Sequence, residues 1–173
     1  MNTPPPSRTR LSPCGKYRLH IQPQETRPGC WNVLDVDVFE QNTERLIAKT
    51  SRNYPVDNII QFLRQDERDY LLISENYHGG YGCIDLQTGE KVVFSPPPKS
   101  GEHWCWAALA EHDPDQRQLI ISGCYWAAPY ERAAIDFSHP MQVPYPVLNV
   151  VDEPFEDDDE EAEEEPSGDS SNP

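Results

Sequence analysis

Residues 66–74 read DERDYLLIS, and the same succession of a polar turn and an apolar strand occurs at residues 12–21, SPCGKYRLHI, and at residues 113–122, DPDQRQLIIS. Asp, Ser, Pro and Gly favour a turn, whereas Leu and Ile favour a strand. Three copies at a spacing of about fifty residues indicate an internal repeat, and such a repeat constrains the fold more than any single motif does. We therefore expect three related β-units.

Each unit continues with a second strand in which an Asp lies between two apolar residues. The strands read IDL at residues 84–86, IDF at 135–137 and VDV at 36–38, although LDV at 34–36 fits the first unit equally well. Alternation of this kind places the apolar side chains on one face of a sheet and the Asp on the other. A turn and a return strand follow, most clearly in QTGEKVVF at residues 87–94.

Short apolar runs precede the later units and supply one more strand for each. They read IIQFL at residues 59–63 and WCWAAL at residues 104–109. Short strands in this order match a β-meander that stacks on its neighbours. We predict an all-β fold of about three four-stranded antiparallel β-meander repeats, arranged as an incomplete propeller or fan. The repeats occupy residues 11–150, between a flexible segment at 1–10 and a disordered acidic tail at 151–173.

Two turns resemble those of WD40-like and related β-propeller repeats. Residues 12–17, SPCGKY, match the common Ser-Pro-Asp-Gly-Lys-Tyr opening with Cys14 in place of Asp, and residues 85–90 are similar to a later turn of such blades. Residues 123–131, GCYWAAPYE, resemble a motif of propeller-like proteins without an assigned activity. The resemblance covers residues 11–140 and implies stacked blades.

The chain departs from the WD40 pattern in two ways. It has no Gly-His or Trp-Asp dipeptide, and three units are fewer than the roughly four to eight blades of a closed propeller. An open fan, two chains paired into a six-bladed ring and a divergent β-sandwich are all compatible with the sequence.

The negative charge of the chain is concentrated near its end. Of 30 acidic residues, 12 lie at residues 152–169, a stretch without Lys or Arg, so the net charge of −16 divides into −12 there and −4 elsewhere. Because nucleic-acid affinity comes largely from Lys and Arg, we expect no direct nucleic-acid binding. The composition predicts a disordered tail. Such a tail either solvates the protein or attracts basic, histone-like partners.

The sequence also gives expectations about location and redox state. The first residues lack the apolar run of a signal sequence, and no segment reaches the length of a membrane span. We expect no membrane contact and a cytoplasmic location, or a nuclear location in a eukaryotic cell. An odd set of widely spaced cysteines without a Cys-x-x-Cys pair favours reduced thiols. These cysteines are Cys14, Cys30, Cys83, Cys105 and Cys124.

Three connections, at residues 22–31, 75–82 and 123–131, join the first and second strands of the units and should emerge on one edge of the assembly. They are rich in aromatic residues, which bury large areas while keeping a polar group, as in binding hot spots. In the alternative interpretation, the same rings cover the cores of the blades. The candidate binding residues are Trp31, Tyr77, His78, Tyr81, Tyr125, Trp126, Tyr130 and Glu131.

The sequence predicts no catalytic residue, metal ligand set or cofactor. Phosphate-binding glycine loops, Gly-x-Ser-x-Gly and His-Glu-x-x-His motifs are absent, and only His103 with Cys105 approaches the spacing of zinc ligands. These features favour a non-enzymatic protein-interaction module with an acidic tail that attracts a basic partner. The alternatives are a hydrolase or small-molecule binder that uses Glu75, His78 and Glu131, and a tail that acts alone on basic proteins.

Overall fold

Every element of regular structure in the described part of the chain is a β-strand. A computed structural model describes residues 6–24, 33–53, 60–74, 80–95, 104–105, 110–125 and 131–152. The strands are β1 (Arg8–Leu11), β2 (Tyr17–Gln24), β3 (Val33–Glu40), β4 (Leu46–Asn53), β5 (Ile60–Gln65), β6 (Arg68–Ser74), β7 (Tyr81–Asp85), β8 (Lys91–Phe94), β9 (Trp104–Cys105), β10 (Ala110–Asp113), β11 (Gln118–Tyr125), β12 (Glu131–Asp136) and β13 (Val147–Asp152).

The strands form three antiparallel meanders, each in sequential order. The first sheet is β1-β2-β3-β4, the middle sheet is β5-β6-β7-β8, and the third sheet is β10-β11-β12-β13, with the short β9 also paired to β11. The predicted class, about three four-stranded antiparallel repeats in an incomplete propeller or fan, is confirmed. None of the described sheets closes on itself.

The middle sheet buries both of its faces, whereas the two outer sheets bury one each. All five residues of β7 are buried, as are the last six of β6. In β2, β3 and β12, buried positions alternate with partly exposed ones. The sequence explains the difference, because Tyr70-Leu71-Leu72-Ile73 is continuously apolar while β3 reads VLDVDVFE. A strand that is covered on both sides has no position for a solvated side chain.

Two hydrophobic clusters hold the three sheets in a stack. One cluster joins the first sheet to one face of the middle sheet, and the other joins the opposite face of the middle sheet to the third sheet. The first cluster is Tyr17, Leu19, Ile21, Leu34, Val36, Val38, Ile60, Leu71, Ile73, Ile84 and Leu86. The second cluster is Leu63, Tyr70, Leu72, Tyr81, Cys83, Phe94, Leu119, Ile121, Ala133, Ile135, Phe137 and Tyr145.

The stack has two different ends. At one end, which we call the turn end, Arg117 Nη2 lies 2.9 Å from Asp66 Oδ1, so the turns before β11 and β6 are adjacent. The connections at this end have two to five residues, except for the ten residues between β12 and β13. At the opposite end, the loop end, Arg52 Nη1 donates to the Ser74 carbonyl oxygen at 3.1 Å.

The predicted register of the first unit is wrong. In every unit, one amide just beyond the second strand donates to a carbonyl at or just before the start of the first strand: Gln41 to Lys16, Leu86 to Asp69, and Phe137 to Arg117. Residues 39–41 are therefore equivalent to IDL at 84–86, and neither VDV at 36–38 nor LDV at 34–36 is. The pattern misled because the outer face of the first sheet is polar, so Asp alternates with apolar residues along all of β3.

Three further boundaries differ from the sequence prediction. Strand β1 lies partly in the segment predicted to be flexible. The sequence did not reveal this strand, because all its side chains are exposed and give no apolar pattern. Strand β13 extends to Asp152, inside the predicted tail. In its described residues the run at 104–109 supplies β9, and β10, which follows the run, also pairs with β11 in the third unit. Residues 106–109 and 153–173 lie outside the described part of the chain.

Candidate functional site

Apart from the ten residues between β12 and β13, the longer connections of the protein attach at the loop end. The strands that flank residues 25–32, 54–59, 75–79, 96–103 and 126–130 begin or finish there. These connections lie outside the described residues. Binding residues are disproportionately carried by longer connections on a rigid scaffold, and the other end of this scaffold consists mainly of tight turns. The loop end is therefore the first candidate for a functional surface.

The acidic segment also starts at the loop end. Strand β13 runs antiparallel to β12, and its last residue, Asp152, pairs with Glu131, the first residue of β12. Asp152 is also the first of the 12 acidic residues at 152–169. The acidic run therefore begins at the same end of the stack as the strand ends that flank the longer connections.

A buried arginine lies beneath the loop end. Arg52, in β4, is 4% exposed, and it reaches across from the first sheet to the Ser74 carbonyl of the middle sheet. Burial lowers the pKa of Arg52 to about 10, so its guanidinium is charged at neutral pH. Its five N–H donors can bridge neighbouring segments of backbone.

Two buried hydroxyl groups accompany this arginine. Ser74 and Tyr81 are cross-strand partners in β6 and β7, and within the described residues neither side-chain oxygen has a hydrogen-bond partner. Burial raises the pKa of the Tyr81 phenol, so the group is neutral. Buried hydroxyls in this state either hold water or orient a polar ligand group.

The two predicted site residues whose side chains are described, Tyr81 and Glu131, are both buried. Tyr81 is 1% exposed and belongs to the cluster between the middle and third sheets, so its ring is part of the core and not of an exposed aromatic edge. Glu131 is 6% exposed. Both residues are buried because they are the first residues of strands β7 and β12 and do not lie in the connections to which the sequence assigned them.

The other predicted binding residues are at the loop end or outside the described residues. Tyr125 is the last residue of β11, and its backbone pairs with Trp104. The remaining five candidates, and Glu75 of the alternative hypothesis, lie outside the described part of the chain. These five are Trp31, Tyr77, His78, Trp126 and Tyr130.

Sequence reasoning missed Arg52 and Ser74, although one signal for Arg52 was present. Cross-strand pairing places Ala48, Thr50 and Arg52 opposite Val38, Val36 and Leu34, all on the buried face of the first sheet. Alternation along β4 therefore puts a cation on an inward position. Nothing in the sequence marks the Ser74 hydroxyl.

The Asp residues of the repeat motif have a structural role at the turn end. Asp85 is buried, and its Oδ1 accepts hydrogen bonds from the amides of Gln87 at 2.8 Å and Thr88 at 3.2 Å. Arg68 Nη2 lies 2.7 Å from its other carboxylate oxygen. Asp136 similarly accepts from the amide of Ser138 at 2.8 Å. Capping of the turn by the side chain accounts for the recurrence of Asp at the equivalent positions 85 and 136.

A pocket of about 280 Å³ lies at the turn end, between the first and middle sheets. Asp69, which is 7% exposed, contributes a carboxylate to it. The thiol of Cys14 lies 4.0 Å from Asp69 Oδ2 and 3.3 Å from the Ser12 hydroxyl. The size suits a small ligand, and the carboxylate favours one with positive charge. The lining residues are Ser12, Pro13, Cys14, Phe62, Leu63, Arg64 and Asp69.

The cysteines are closer together than their sequence spacing suggests. Cys105 of β9 and Cys124 of β11 are directly paired backbone positions, and paired antiparallel residues have Cα atoms about 4.5–5.5 Å apart. Cys83 is buried, which raises the pKa of its thiol to about 12, whereas Cys14 is exposed. Within the described residues, no three His, Cys, Asp or Glu side chains are grouped so as to hold a metal ion.

Comparisons with known proteins give little functional information. No family model matches the chain. It is 31% identical over 149 residues to an uncharacterized protein of Acanthamoeba polyphaga mimivirus, which covers 83% of this chain. The chain spans 57% of that relative's length. The WD40-like resemblance remains a prediction.

A likeness to one solved structure is also weak. Dihydro-heme d1 dehydrogenase NirN, in complex with DHE, is 15% identical and aligns with 82% of this chain and 37% of its own, at a TM-score of 0.30. At that score the likeness carries no argument. The described residues form no helix long and apolar enough to cross a membrane.

Proposed function

We propose that the protein is a non-enzymatic protein-interaction module that binds its partner at the loop end. One observation carries this proposal: apart from the connection between β12 and β13, the longer connections attach at the same end of the three-sheet stack as Asp152, where the acidic run begins. The other connections at the opposite end are short, hydrogen-bonded turns. A scaffold built in this way presents one variable surface.

The composition of the connections supports a protein partner. Trp31, Tyr77, Trp126 and Tyr130 lie in three of them, and aromatic side chains provide large contact areas with little conformational entropy to lose. Tyr81 is not part of this surface, because it is buried in the core. The buried Arg52 supports the proposal indirectly, since it fixes the strand ends from which two of the connections leave.

The acidic segment favours a partner with positive charge. A stretch with 12 acidic residues and no Lys or Arg produces a strongly negative potential around it. This potential speeds encounter with basic proteins and weakens with added salt. Binding through the connections alone would depend less on ionic strength.

The proposal is tested by quantitative capture from lysate with three purified forms of the chain. The forms are the wild type, a Tyr125→Ala/Trp126→Ala variant and a chain truncated after Asp152. We expect the loop variant to lose most captured partners and the truncated chain to lose mainly the basic ones. Circular dichroism and thermal unfolding serve as folding controls.

Two results would contradict the proposal. Unchanged capture by the folded loop variant would show that the connections do not bind the partner. Complete loss on truncation, with no effect of the loop variant, would leave the acidic segment as the only binding element, which is the third hypothesis from the sequence.

A second candidate function, small-molecule binding, is favoured by the turn-end pocket. The buried Asp69 carboxylate contacts only the weakly polar Cys14 thiol among the hydrogen bonds described for it, so an organic ammonium ion would satisfy its charge. Screening small amines by ligand-observed NMR against the wild type and Asp69→Asn tests this function. Binding that persists in the variant would refute it.

Pairing of two chains into a six-bladed ring also remains a prediction. Such a ring would bury the outer faces of the first and third sheets. The outer face of the first sheet carries Arg18, Asp37 and Lys49, and the last two form an ion pair at 2.9 Å. Charged faces oppose such stacking, and sedimentation equilibrium would decide the matter through the mass in solution. The cytoplasmic or nuclear location is likewise still a prediction.

A further inference from the structure

We propose that the outer edge of β13 is a docking site for an extended segment of a basic partner, which adds to the third sheet as a further strand. The inference rests on the proposed function, because it names the class of partner segment and a second surface that holds it. The partner segment carries apolar side chains beside β13 and a Lys/Arg cluster beside the acidic residues that follow.

Strand β13 exposes apolar side chains to an unusual degree. Val147, Leu148 and Val150 are 38%, 52% and 46% exposed, and Val143 just before the strand is 41% exposed. These four are among the seven large hydrophobic side chains that are exposed in the described residues. No charged residue occurs at 140–151. A patch of this kind on a folded surface marks an interaction site or an aggregation hazard.

The same strand has an open edge. It is last in the order β10-β11-β12-β13, and β12 is its one partner strand in the described part of the chain. The corresponding last strands of the other sheets carry a lysine each, Lys49 in β4 and Lys91 in β8. Charged side chains protect open edges from pairing with other chains, and β13 has none before Asp152.

Contacts within the chain fix the start of β13. Tyr145, two residues ahead of β13, is buried between Phe94 and Phe137, with ring centroids 4.9 and 5.4 Å away. Its hydroxyl donates to the Pro140 carbonyl oxygen at 2.5 Å. A fixed edge loses little conformational entropy on binding, which favours strand addition.

Charge complementarity identifies the partner as basic. The residues immediately after β13, at 152–169, include 12 carboxylates and no cation. This negative charge is joined covalently to the end of β13 at Asp152. Lys or Arg on the partner lowers that electrostatic energy, whereas acidic residues raise it.

The same charge argues against a second copy as the occupant. Each chain has a net charge of −16, and pairing of two β13 edges would bring two acidic segments to one interface. Like charges at an interface disfavour association. The acidic segment therefore protects β13 from self-association while leaving it open to a basic strand.

The test measures binding of fluorescein-labelled peptides to the full-length chain by fluorescence anisotropy. The probe is a peptide of about twelve residues that alternates Val and Thr and carries a lysine cluster at one end, made in both orientations. Control peptides replace the lysines by serine or place proline at the centre, where it cannot donate ladder hydrogen bonds. The protein variants are Leu148→Gln/Val150→Thr and the matched control Val93→Thr on β8.

We expect the β13 variant to bind the basic probe at least about tenfold more weakly, because apolar contacts at the centre of an interface dominate affinity. Val93→Thr should bind like the wild type, since Val93 is equally exposed, at 49%, on a different edge strand. The serine and proline peptides should bind weakly. All substituted positions are exposed, and thermal unfolding checks that each variant folds.

Equal binding by the β13 variant and the wild type would overturn the proposal, as would equal binding of the serine peptide. A wild-type dimer that dissociates in the β13 variant, seen by sedimentation, would identify a second copy as the occupant and overturn it too. None of these results affects the outcome of the Tyr125→Ala/Trp126→Ala experiment. Failure at β13 and failure of the loop-end proposal are thus distinguishable.

Discussion

Arg52 and Ser74 belong to different sheets, and a hydrogen bond of 3.1 Å joins the guanidinium of one to the backbone carbonyl of the other. The contact links the first and middle sheets at the end from which the longer connections leave. Since a hydrogen bond from a charged donor contributes more than a neutral one, this contact should stabilise the stack measurably.

We therefore expect Arg52→Ala to lower the free energy of unfolding by about 2 kcal/mol, from the lost hydrogen bond and the lost packing of the side-chain stem. The matched control is Lys49→Ala, three residues earlier in β4, whose ion pair with Asp37 is largely exposed and should contribute less than about 1 kcal/mol. Urea denaturation gives both values. Equal losses in the two variants would show that the sheet-to-sheet contact does not contribute.

Gly89 and Gly15 provide a matched pair for backbone strain and crowding. Both have positive φ, +78° and +70°, but a Cβ at Gly89 would lie 2.7 Å from the Ile47 carbonyl oxygen, while the space at Gly15 is open. Gly15→Ala should cost about 1 kcal/mol for the left-handed conformation. Gly89→Ala should cost about 3 kcal/mol, because the clash with β4 is added.

Chemical denaturation of the two glycine variants measures the difference directly. A cost at Gly89 no larger than that at Gly15 would mean that the turn can move away from the first sheet. The close approach of the β7–β8 turn to Ile47 would then be unimportant for stability.

His112 makes stability depend on pH in a defined direction. Its Nε2 lies 3.2 Å from Gln65 Oε1, and its ring packs edge-on against Phe137. Burial lowers the pKa of His112 from the usual 6.5, outweighing the opposite effect of Asp113. The unfolded chain then binds a proton more readily than the folded one. The stabilising contribution is complete above pH 6.5 and is lost as the pH falls towards the folded pKa.

Thermal unfolding at several pH values tests this linkage. Between about pH 7.5 and about pH 5.5, the wild type should lose more stability than His112→Gln, which retains a polar side chain but does not titrate in this range. Identical pH profiles for the two proteins would exclude His112 as the source.

The cysteines should differ sharply in reactivity. Cys105 and Cys124 are paired positions, and their expected Cα separation of about 4.5–5.5 Å falls within the range of disulfides. Diamide should oxidise these two thiols to a disulfide, identified by peptide mass spectrometry. Iodoacetamide should modify exposed Cys14 quickly and leave Cys83 unmodified, because its thiol is buried and has a pKa of about 12. Rapid labelling of Cys83 in the folded protein would contradict this assignment.

Local sequence patterns were enough to predict the β-meander but not the bounds of all its strands. The apolar runs of β2, β6 and β11 and the turn at residues 87–90 are determined by residues adjacent in sequence, and the structure has them where they were predicted. Strand β1 depends on pairing with β2 and on the contact of Arg10 with the Ile60 carbonyl. Such partners are distant in sequence, so no local signal reveals them.

The candidate site was less predictable than the fold. Tyr81 was indistinguishable from the other loop aromatics, because its burial depends on the third sheet packing over it. The pairing of Cys105 with Cys124 depends on strand register. Positions of this kind follow from tertiary packing, which residue type and spacing do not specify.

The unequal burial of the three sheets limits how this architecture can evolve. The middle sheet is apolar on both sides, while the first sheet ends in a polar face. A duplicated middle unit would present an apolar face to each of its neighbours. Growth beyond the first sheet would instead require many simultaneous substitutions along β2, β3 and β4. An added sheet would therefore require fewer substitutions in the interior of the stack than beyond its polar outer face.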